Sequence, residues 1–353
     1  MERRIKWGVL GCATVARNLV IPGMLRADNS EFYAIASRDI GKIQQYKDVC
    51  TKLYDSYDAL LEDPDIEAVY IPLPNNLHCE WVIKAAQHKK HILCEKPIAM
   101  NYQETVRMAE AAKENNIYLM EAFMYRHTYK TKQIAEIIKS GVLGDIHYIN
   151  SIHGFDINDP QNVRLLKETG GGALFDMGCY CVNFIDMVME ICGAKIVSAN
   201  ARFINRTDLH GRDVDVRCVS ELVYDNGAIC NLACWFDSQP LVESLIVGKK
   251  GVLHIPYTFS DDPLPITLSY YDFASDPACQ GKEIMIINPD YVVHEEVPFA
   301  QSDRYSFEVK ELSRAILENT PPAFTIDASV RNMRVMEKLY SSLEWDGIPE
   351  KKK

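Results

Sequence analysis

The chain has 353 residues, of which 47% are hydrophobic and 25% are charged, and its formal net charge is −11. This length predicts two or three domains, and the composition is that of a globular protein with a sizeable core. The acidic balance argues against a nucleic-acid-binding or anionic-membrane surface, because such partners repel an unneutralised negative face.

Short apolar runs alternate with helical patterns over the first third of the chain. Strands are predicted at Ile5–Leu10, Glu31–Ser37, Glu67–Ile71, His91–Cys94 and Ile117–Glu121, and helices at Val15–Arg26, from Gly41, at Asn76–His88 and at Tyr102–Asn115. Strands that alternate with helices of ten or more residues indicate βαβ units and a parallel sheet. We assign residues 1–122 to this dinucleotide-binding domain.

After about Phe123, strands follow one another in succession. A helix near Lys130–Ser140, a strand at Ile146–Gly154 and a helix at Asp176–Ile191 come first. Further strands are predicted at Ile196–Asn205, Val214–Tyr224, Ala228–Trp235, Val242–Gly248, Val252–Pro256 and Ile284–Ile287, and two closing helices at Ser302–Glu318 and Ala328–Leu343. Successive strands are antiparallel in character, so residues 123–353 are predicted to form an α+β domain with one broad sheet. Residues 261–265 and 276–281 are predicted to be surface loops.

Eleven cysteines are scattered without a Cys-x-x-Cys pair. Cys179 with Cys181, or Cys230 with Cys234, could be considered as metal ligands. The neighbours of these two pairs are apolar and include no helpful histidine, so buried thiols are predicted and no metal is expected. An odd number of thiols is typical of a reducing cytoplasm. No apolar run approaches the roughly 18 residues of a membrane span, and the opening residues favour a strand and a glycine turn over a signal peptide. We expect a cytoplasmic protein.

A degenerate glycine motif follows the first strand. Gly11-Cys12-Ala13-Thr14-Val15-Ala16 matches G-x-G-x-x-G/A with alanine in place of the second and third glycines. Small residues are needed there because backbone amides approach a pyrophosphate at a helix N-terminus. A tight turn with small packing residues is the alternative. The position within a βαβ series favours a dinucleotide site formed by Gly11, Cys12, Ala13, Thr14 and Val15.

The end of the second strand discriminates between cofactors. NAD sites usually place an acid about 20 residues beyond the glycines, to accept from the ribose 2′-hydroxyl. Here the strand ends at Ser37 and Arg38, whose hydroxyl and guanidinium suit a 2′-phosphate. Asp39 is more suited to cap the next helix. The pair therefore favours NADP, with NAD left open.

Pro72-Leu73-Pro74-Asn75-Asn76-Leu77-His78 follows the third predicted strand. The prolines stiffen the crossover, and Asn75 or Asn76 can cap the following helix. His78 is predicted either to lie against cofactor phosphate or ribose, or to pack at the surface. We retain Pro72, Leu73, Asn75 and His78 as candidate cofactor residues.

Glu95-Lys96-Pro97 closes the apolar strand His91–Cys94. A lysine at the carboxyl end of a buried strand lies where open α/β sheets bind ligands. Its ammonium can hold a substrate oxygen or lower the pKa of a nearby proton donor. A simple Lys-Pro turn is the alternative.

Gly170-Gly171-Gly172 leads into a predicted helix in which Asp176 and Tyr180 share one face. A carboxylate and a phenol there can position a substrate hydroxyl and donate a proton. Because tyrosine ordinarily titrates near about pH 10, a nearby cation is needed for work at neutrality, and Lys96 is the candidate. The alternative is an N-cap aspartate and a core tyrosine.

Together these segments resemble the glucose–fructose oxidoreductase / inositol dehydrogenase (Gfo/Idh/MocA) family. The resemblance rests on Gly11–Ala16, Val69–Asn75 with His78, Glu95-Lys96-Pro97, Met120–Met124 and Gly170–Tyr180, in this order. It implies an N-terminal Rossmann domain with a doubly wound parallel sheet. It also implies a C-terminal α+β domain whose large, open-faced, mainly antiparallel sheet makes a homodimer or homotetramer interface. Gly-Cys-Ala departs from the broad family's glycine motif, although a sugar-ketoreductase branch also carries it.

The resemblance implies roles for single residues. The family's lysine, helix acid and proton donor map onto Lys96, Asp176 and Tyr180. Further cofactor contacts are implied for Glu95, Arg164 and Tyr305. Substrate contacts are expected from Lys96, Asp176 and Tyr180, with Arg126 and Asn162 beside the pocket.

The expected activity is hydride transfer between a nicotinamide and a sugar, or a sugar-derived carbonyl or alcohol. The expected partner is a small molecule, with no nucleic acid and no membrane. Two alternatives on the same fold stay open, a glycosidase that uses bound cofactor and a non-catalytic sensor of dinucleotide or sugar. The joint presence of Lys96, Asp176 and Tyr180 argues against the sensor.

Overall fold

The computed structural model describes residues 3–207, 213–260, 265–270, 282–286 and 303–342. The two predicted surface loops lie outside these ranges, apart from Pro265. So do the outermost residues of the last predicted strand and of both closing helices, at positions 287, 302 and 343.

Six parallel strands form the first sheet in the order β3-β2-β1-β4-β5-β6. They are β1 Ile5–Leu10, β2 Ser30–Ala36, β3 Lys52–Tyr54, β4 Ala68–Ile71, β5 His91–Cys94 and β6 Leu119–Glu121. Most are nearly continuous buried runs, as expected of a parallel sheet with both faces covered. The strand order reverses between β1 and β4, the kind of crevice in which doubly wound folds bind ligands. The predicted fold class of this half is confirmed.

The helices of the first half are α1 Ile21–Arg26, α2 Tyr57–Glu62, α3 Asn75–Gln87 and α4 Tyr102–Glu114. A π-helical turn, Ala16–Val20, leads into α1. The helix predicted from Gly41 is a 3₁₀ helix, Ile40–Tyr46, and the Asp39 carboxylate caps it by accepting from the Gly41 amide at 3.1 Å. The predicted capping role of Asp39 is confirmed.

Eight strands form the second sheet in the order β14-β13-β12-β11-β7-β10-β9-β8. They are β7 Ile146–Gly154, β8 Ile196–Thr207, β9 Asp213–Tyr224, β10 Ile229–Trp235, β11 Leu241–Gly248, β12 Gly251–Pro256, β13 Ile266–Tyr270 and β14 Lys282–Ile286. Only β7 and β10 pair in parallel among these strands. The sheet is therefore mainly antiparallel, as predicted.

One face of this sheet is covered and the other is open. The helix α6, Cys179–Ile191, packs on the face formed by alternate buried residues such as Leu222 and Leu232, and α5, Tyr129–Lys139, packs beside it. The opposite face carries Val219 and Ile229, which are 58% and 42% exposed. In contrast to the sequence-based expectation, one helical stretch among the described residues, Lys167–Ile191, is apolar and long enough to cross a bilayer by length and composition alone. However, 83% of its most apolar window is buried inside the protein, as in a core helix.

The closing helices α7, Arg304–Glu318, and α8, Ile326–Ser341, return to the first half of the chain. The Trp7 indole in β1 donates to the Ser313 hydroxyl at 3.0 Å. Gly23 in α1 lies so close to α7 that an added Cβ at Gly23 would come within 2.9 Å of the α7 backbone. The domain boundary between residues 122 and 123 stays a prediction, and α7 packs across it.

Candidate active site

Lys96 and Asp176 meet between the two halves of the chain. Lys96 follows β5, and Asp176 lies in a π-helical turn, Leu174–Gly178, that leads into α6. The Lys96 Nζ donates to Asp176 Oδ1 at 2.7 Å and to the Asp176 carbonyl oxygen at 2.8 Å. Their side chains are only 10% and 12% exposed. The structure thus places an ammonium and a carboxylate, 80 residues apart in sequence, in one buried contact.

Arg164 completes the pairing of this carboxylate. Its Nε donates to Asp176 Oδ2 at 2.6 Å, and the turn that presents it is fixed by Asn162, whose Oδ1 accepts from the Arg164 amide at 3.1 Å. Burial would raise the pKa of Asp176, but Lys96 and Arg164 outweigh it and hold this pKa below its ordinary value. Asp176 is therefore an ionised carboxylate and not a helix cap. The ligand contacts predicted for Arg164 and Asn162 stay predictions.

Tyr180 lies beside Lys96, as the second residue of α6. The Lys96 Nζ is 4.9 Å from the centre of the Tyr180 ring, a cation–π distance. The phenol hydroxyl donates to the Met124 Sδ at 3.5 Å. The ring packs within 5.1–6.1 Å of four other rings, those of Phe123, Tyr125, His153 and Phe259. All three predicted catalytic residues are thus brought together.

The pKa of Tyr180 is raised well above 10, first by burial and then by the acidic groups around it, beginning with Tyr305 and Cys179. The lowered pKa expected from the sequence is wrong for this structure. The reason is that the aromatic surroundings exclude water, while the Lys96 ammonium is directed at Asp176 and the ring rather than at the hydroxyl. The phenol consequently keeps its proton at neutral pH, which is the form a proton donor requires.

Two buried acids surround the lysine loop. The Tyr70 hydroxyl donates to Glu95 Oε1 at 2.5 Å, and burial raises the pKa of Glu95. Glu121 Oε1, at the end of β6, accepts from the Ile98 amide at 2.9 Å, and burial raises the pKa of Glu121 to about 7. No role was predicted for Glu121. The sequence could have indicated it, because Glu121 ends a buried strand and the carboxyl ends of parallel strands meet at the same edge of the sheet.

The glycine turn after β1 closes against the loops of the neighbouring strands. Gly11 has φ +105°, its amide donates to the Ala36 carbonyl at 2.8 Å, and an added Cβ would come within 3.2 Å of Leu73. A positive φ of this kind favours glycine. The next residues are open to solvent, with Thr14 exposed and Cys12, Ala13 and Val15 partly exposed. This turn, beside the crevice between β1 and β4, fits the approach of a dinucleotide pyrophosphate.

Ser37 and Arg38 differ in how they are presented. Ser37 is buried and its Oγ accepts from the Asp39 amide at 3.2 Å. Arg38 is exposed beside the Tyr57 hydroxyl. Burial raises the pKa of Tyr57, and the Arg38 guanidinium offsets part of this rise. Since Tyr57 also borders Gly11, Arg38 stands at the mouth of the glycine turn. A 2′-phosphate would find its charge partner there.

Asn75 and His78 connect loops. The Asn75 Nδ2 donates to the Gly170 carbonyl at 3.1 Å and so joins the start of α3 to the glycine-rich loop before Asp176. His78 is fully buried, with Nε2 2.8 Å from the Leu73 carbonyl and Nδ1 3.0 Å from the Pro97 carbonyl. In contrast to the prediction, the structure presents His78 neither to a cofactor nor to the surface. Pro72, likewise predicted as a cofactor contact, is also buried.

The two remaining candidates are Tyr305 and Arg126. Tyr305, in α7, contributes to the raised pKa values of both Tyr70 and Tyr180. Arg126 lies in the 3₁₀ helix Met124–His127. Its Nη1 donates to Oδ1 of Asn183 in α6 at 3.4 Å, and its guanidinium stacks 5.0 Å from the Phe324 ring. The cofactor contact of Tyr305 and the substrate contact of Arg126 stay predictions.

Comparison with known proteins identifies the family and agrees with the fold. The profile of an oxidoreductase family with an NAD-binding Rossmann fold, GFO_IDH_MocA, matches residues 5–123, and the profile of the GFO/IDH/MocA C-terminal domain matches residues 131–254. A D-xylose 1-dehydrogenase (NADP(+)) of Haloferax volcanii is 32% identical over 341 residues, which cover 96% of this chain and 97% of the relative.

Two further proteins are similar over most of their length. A trans-1,2-dihydrobenzene-1,2-diol dehydrogenase of Xenopus laevis is 30% identical over 317 residues, or 89% of each chain. The crystal structure of a 3-ketoreductase from Actinomadura kijaniata, in complex with NADP and TDP-benzene, superposes with a TM-score of 0.81 at 24% identity. It covers 96% of this chain and 98% of its own.

Proposed function

The chain belongs to the Gfo/Idh/MocA family of oxidoreductases, and from this premise we propose that it transfers a hydride between NADP and a sugar or a sugar-derived carbonyl or alcohol. The observation that supports this most is the contact of Lys96, Asp176 and Tyr180 beside the crevice of the parallel sheet. An ammonium, a carboxylate and a protonated phenol are the groups that carbonyl reduction requires.

Each residue has one task in the proposed reduction. When bound, NADPH supplies the hydride that adds to the carbonyl carbon. The Tyr180 hydroxyl releases its proton to the carbonyl oxygen as negative charge develops there, and the phenolate takes up a proton again before the next turnover. Lys96 stabilises the negative oxygen, and Asp176 holds the ammonium in place through two contacts. In alcohol oxidation the same steps run in reverse.

The coenzyme preference is proposed from Ser37 and Arg38. No acid stands at the end of β2, and the exposed Arg38 guanidinium is positioned beside the glycine turn. The similar enzyme of Haloferax is named for NADP(+). A fork of N–H donors recognises phosphate well, so we place the 2′-phosphate of NADP at this arginine.

A spectrophotometric screen tests the activity and the substrate together. Pentoses, hexoses, ketosugars and aromatic dihydrodiols are offered with each coenzyme, and nicotinamide absorbance is followed at about 340 nm. We expect a stoichiometric absorbance change with at least one sugar, larger with NADP(H) than with NAD(H). Glycoside cleavage without net coenzyme change would identify the glycosidase instead. Binding of dinucleotide or sugar with no turnover of any kind would identify a sensor.

The open face of the second sheet is the proposed contact between subunits. The register pairs Val223 with Ile229, so that Val219, four residues before Val223, shares a face with both. These partly exposed apolar residues would be covered in a homodimer or homotetramer. We also propose a cytoplasmic location and a small-molecule partner, without nucleic acid or membrane.

A further inference from the structure

A buried carboxylate in β9 lies directly behind the catalytic turn. Asp215 is 5% exposed. Its Oδ2 accepts from the Leu174 amide at 2.7 Å, and its Oδ1 accepts from the Tyr340 hydroxyl at 2.8 Å. Neither bond joins sequence neighbours, since the two partners are 41 and 125 residues away. Asp215 therefore ties together β9, α8 and the start of the turn that carries Asp176.

The first of these bonds satisfies the beginning of the π-helical turn. The first amides of a helix have no partner within it, and the Leu174 amide is one of them. A carboxylate at this end is also favoured by the helix dipole. The turn itself is a π-helical segment, Leu174–Gly178, of the kind that occurs frequently at functional sites. Asp215 thus acts as a helix cap supplied from another element.

The fit around this carboxylate is close on the side of the glycine-rich loop. Gly172 has φ +127°, and an added Cβ would lie 2.2 Å from Asp215 Oδ1. A side chain at this position is excluded by both conformation and contact. The backbone must pass close to the Asp215 carboxylate at this point, which explains the third glycine of Gly170-Gly171-Gly172.

The second bond fixes the carboxylate from the side of α8. The Tyr340 ring stacks on Phe175, with centres 5.3 Å apart and planes at 27°, and on Phe203, also at 5.3 Å with planes at 9°. Phe175 immediately precedes Asp176. The closing helix therefore holds the same turn through one hydrogen bond to Asp215 and one ring contact.

We propose that Asp215 is a positioning residue for the reaction, which keeps the turn in place so that Oδ1 and the carbonyl oxygen of Asp176 both accept from Lys96. This inference rests on the proposed function. The two Lys96–Asp176 contacts are 2.7 and 2.8 Å long, so a displacement of the turn by about 1 Å would break them, and displacements of that size cost about 10²-fold in rate. Asp215 touches neither reacting atoms nor cofactor in this scheme.

Four variants separate positioning from general stability. Asp215→Ala removes both bonds, and Tyr340→Phe removes one. Asp215→Asn can keep both, because its oxygen accepts from Leu174 while its amide donates to Tyr340. Tyr33→Phe is the matched control, since it removes a tyrosine–carboxylate bond of 2.9 Å to Asp65, and Tyr33 lies in β2 of the other sheet.

We measure kcat and KM with the best sugar, NADPH affinity, Tm, and hydrogen exchange of the amides from Leu174 to Tyr180. Asp215→Ala is expected to lower kcat by about 10²-fold with NADPH affinity unchanged. Tyr340→Phe should lower kcat by about 5-fold, as for one hydrogen bond. Asp215→Asn and Tyr33→Phe should stay near the wild-type kcat. Exchange over the turn should accelerate in Asp215→Ala and Tyr340→Phe only.

Wild-type kcat in folded Asp215→Ala, or a kcat loss in Tyr33→Phe as large as that in Tyr340→Phe, would overturn the proposal. If Asp215→Ala does not fold, the other two variants decide. A wild-type kcat in Tyr340→Phe, or a kcat loss in Asp215→Asn as large as that in Tyr340→Phe, would then overturn the proposal. Hydrogen exchange separates the two hypotheses. A wild-type protein without turnover refutes the proposed function, whereas unchanged exchange in Asp215→Ala and Tyr340→Phe refutes the positioning role whether or not turnover is found.

Discussion

The ion pair of Lys96 and Asp176 should show a large coupling energy in a double-mutant cycle. The perturbations are Lys96→Met and Asp176→Asn, alone and combined, and the comparison is the same cycle with Arg164→Met. Both cycles probe one carboxylate. They differ in exposure, because the Lys96 side chain is 10% exposed and that of Arg164 is 42% exposed.

The structure sets the expected sizes. At 2.7 Å and an effective dielectric constant of about 20, the gross attraction is about 6 kcal/mol. Withdrawing both charges from water cancels part of it, which leaves a coupling of about 3 kcal/mol for Lys96 with Asp176. The Arg164 contact is shorter but more exposed, so solvent screening reduces its coupling to about 1 kcal/mol.

The assay is denaturant unfolding of the wild type, the single variants and the double variants at low and high salt. The coupling of Lys96 should survive added salt, whereas that of Arg164 should fall. A Lys96 coupling below about 1 kcal/mol, or no larger than that of Arg164, would refute the reasoning. It would mean that solvent reaches the pair, and that Asp176 does not hold the ammonium.

Three further predictions follow from the same site. Burial raises the pKa of Glu121 from 4.5 to about 7, so between these pH values the folded state keeps a proton that the unfolded state loses. The free energy of unfolding should therefore fall by about 3 kcal/mol as pH rises through that window. Glu121→Gln should abolish this fall in unfolding measurements from pH 4 to 8. Gly172→Ala should destabilise by at least about 2 kcal/mol, since its φ is +127° and its Cβ would meet Asp215; unchanged denaturation would contradict the close fit. Arg38→Ala should raise KM for NADP(H) by about 10-fold and leave that for NAD(H) unchanged, and an equal rise for both would remove Arg38 from the phosphate site.

The first sheet could be predicted because its strands are buried on both faces and so form continuous apolar runs. The exceptions were β3 and α2, which have three and six residues and offer too short a pattern to detect. In the second sheet β13, Ile266–Tyr270, was not predicted.

The meeting of Lys96 with Asp176 and Tyr180 was predictable from a strand end, a glycine-rich turn and a family resemblance. The state of Tyr180 was not, because its pKa depends on rings such as Phe123 and Phe259 that are distant in sequence. His78 was misjudged because its partners are backbone carbonyls, which carry no sequence signal. Asp215 stands in an ordinary alternating strand, and only the fold places it behind the turn.

The proton donor is tested most directly by single-turnover hydride transfer in Tyr180→Phe, with NADPH affinity measured in parallel. Removing the hydroxyl should slow the transfer step by at least about 10²-fold, while coenzyme binding stays within a few-fold of wild type. Transfer at the wild-type rate in this variant would contradict the account, because the proton would then come from another group.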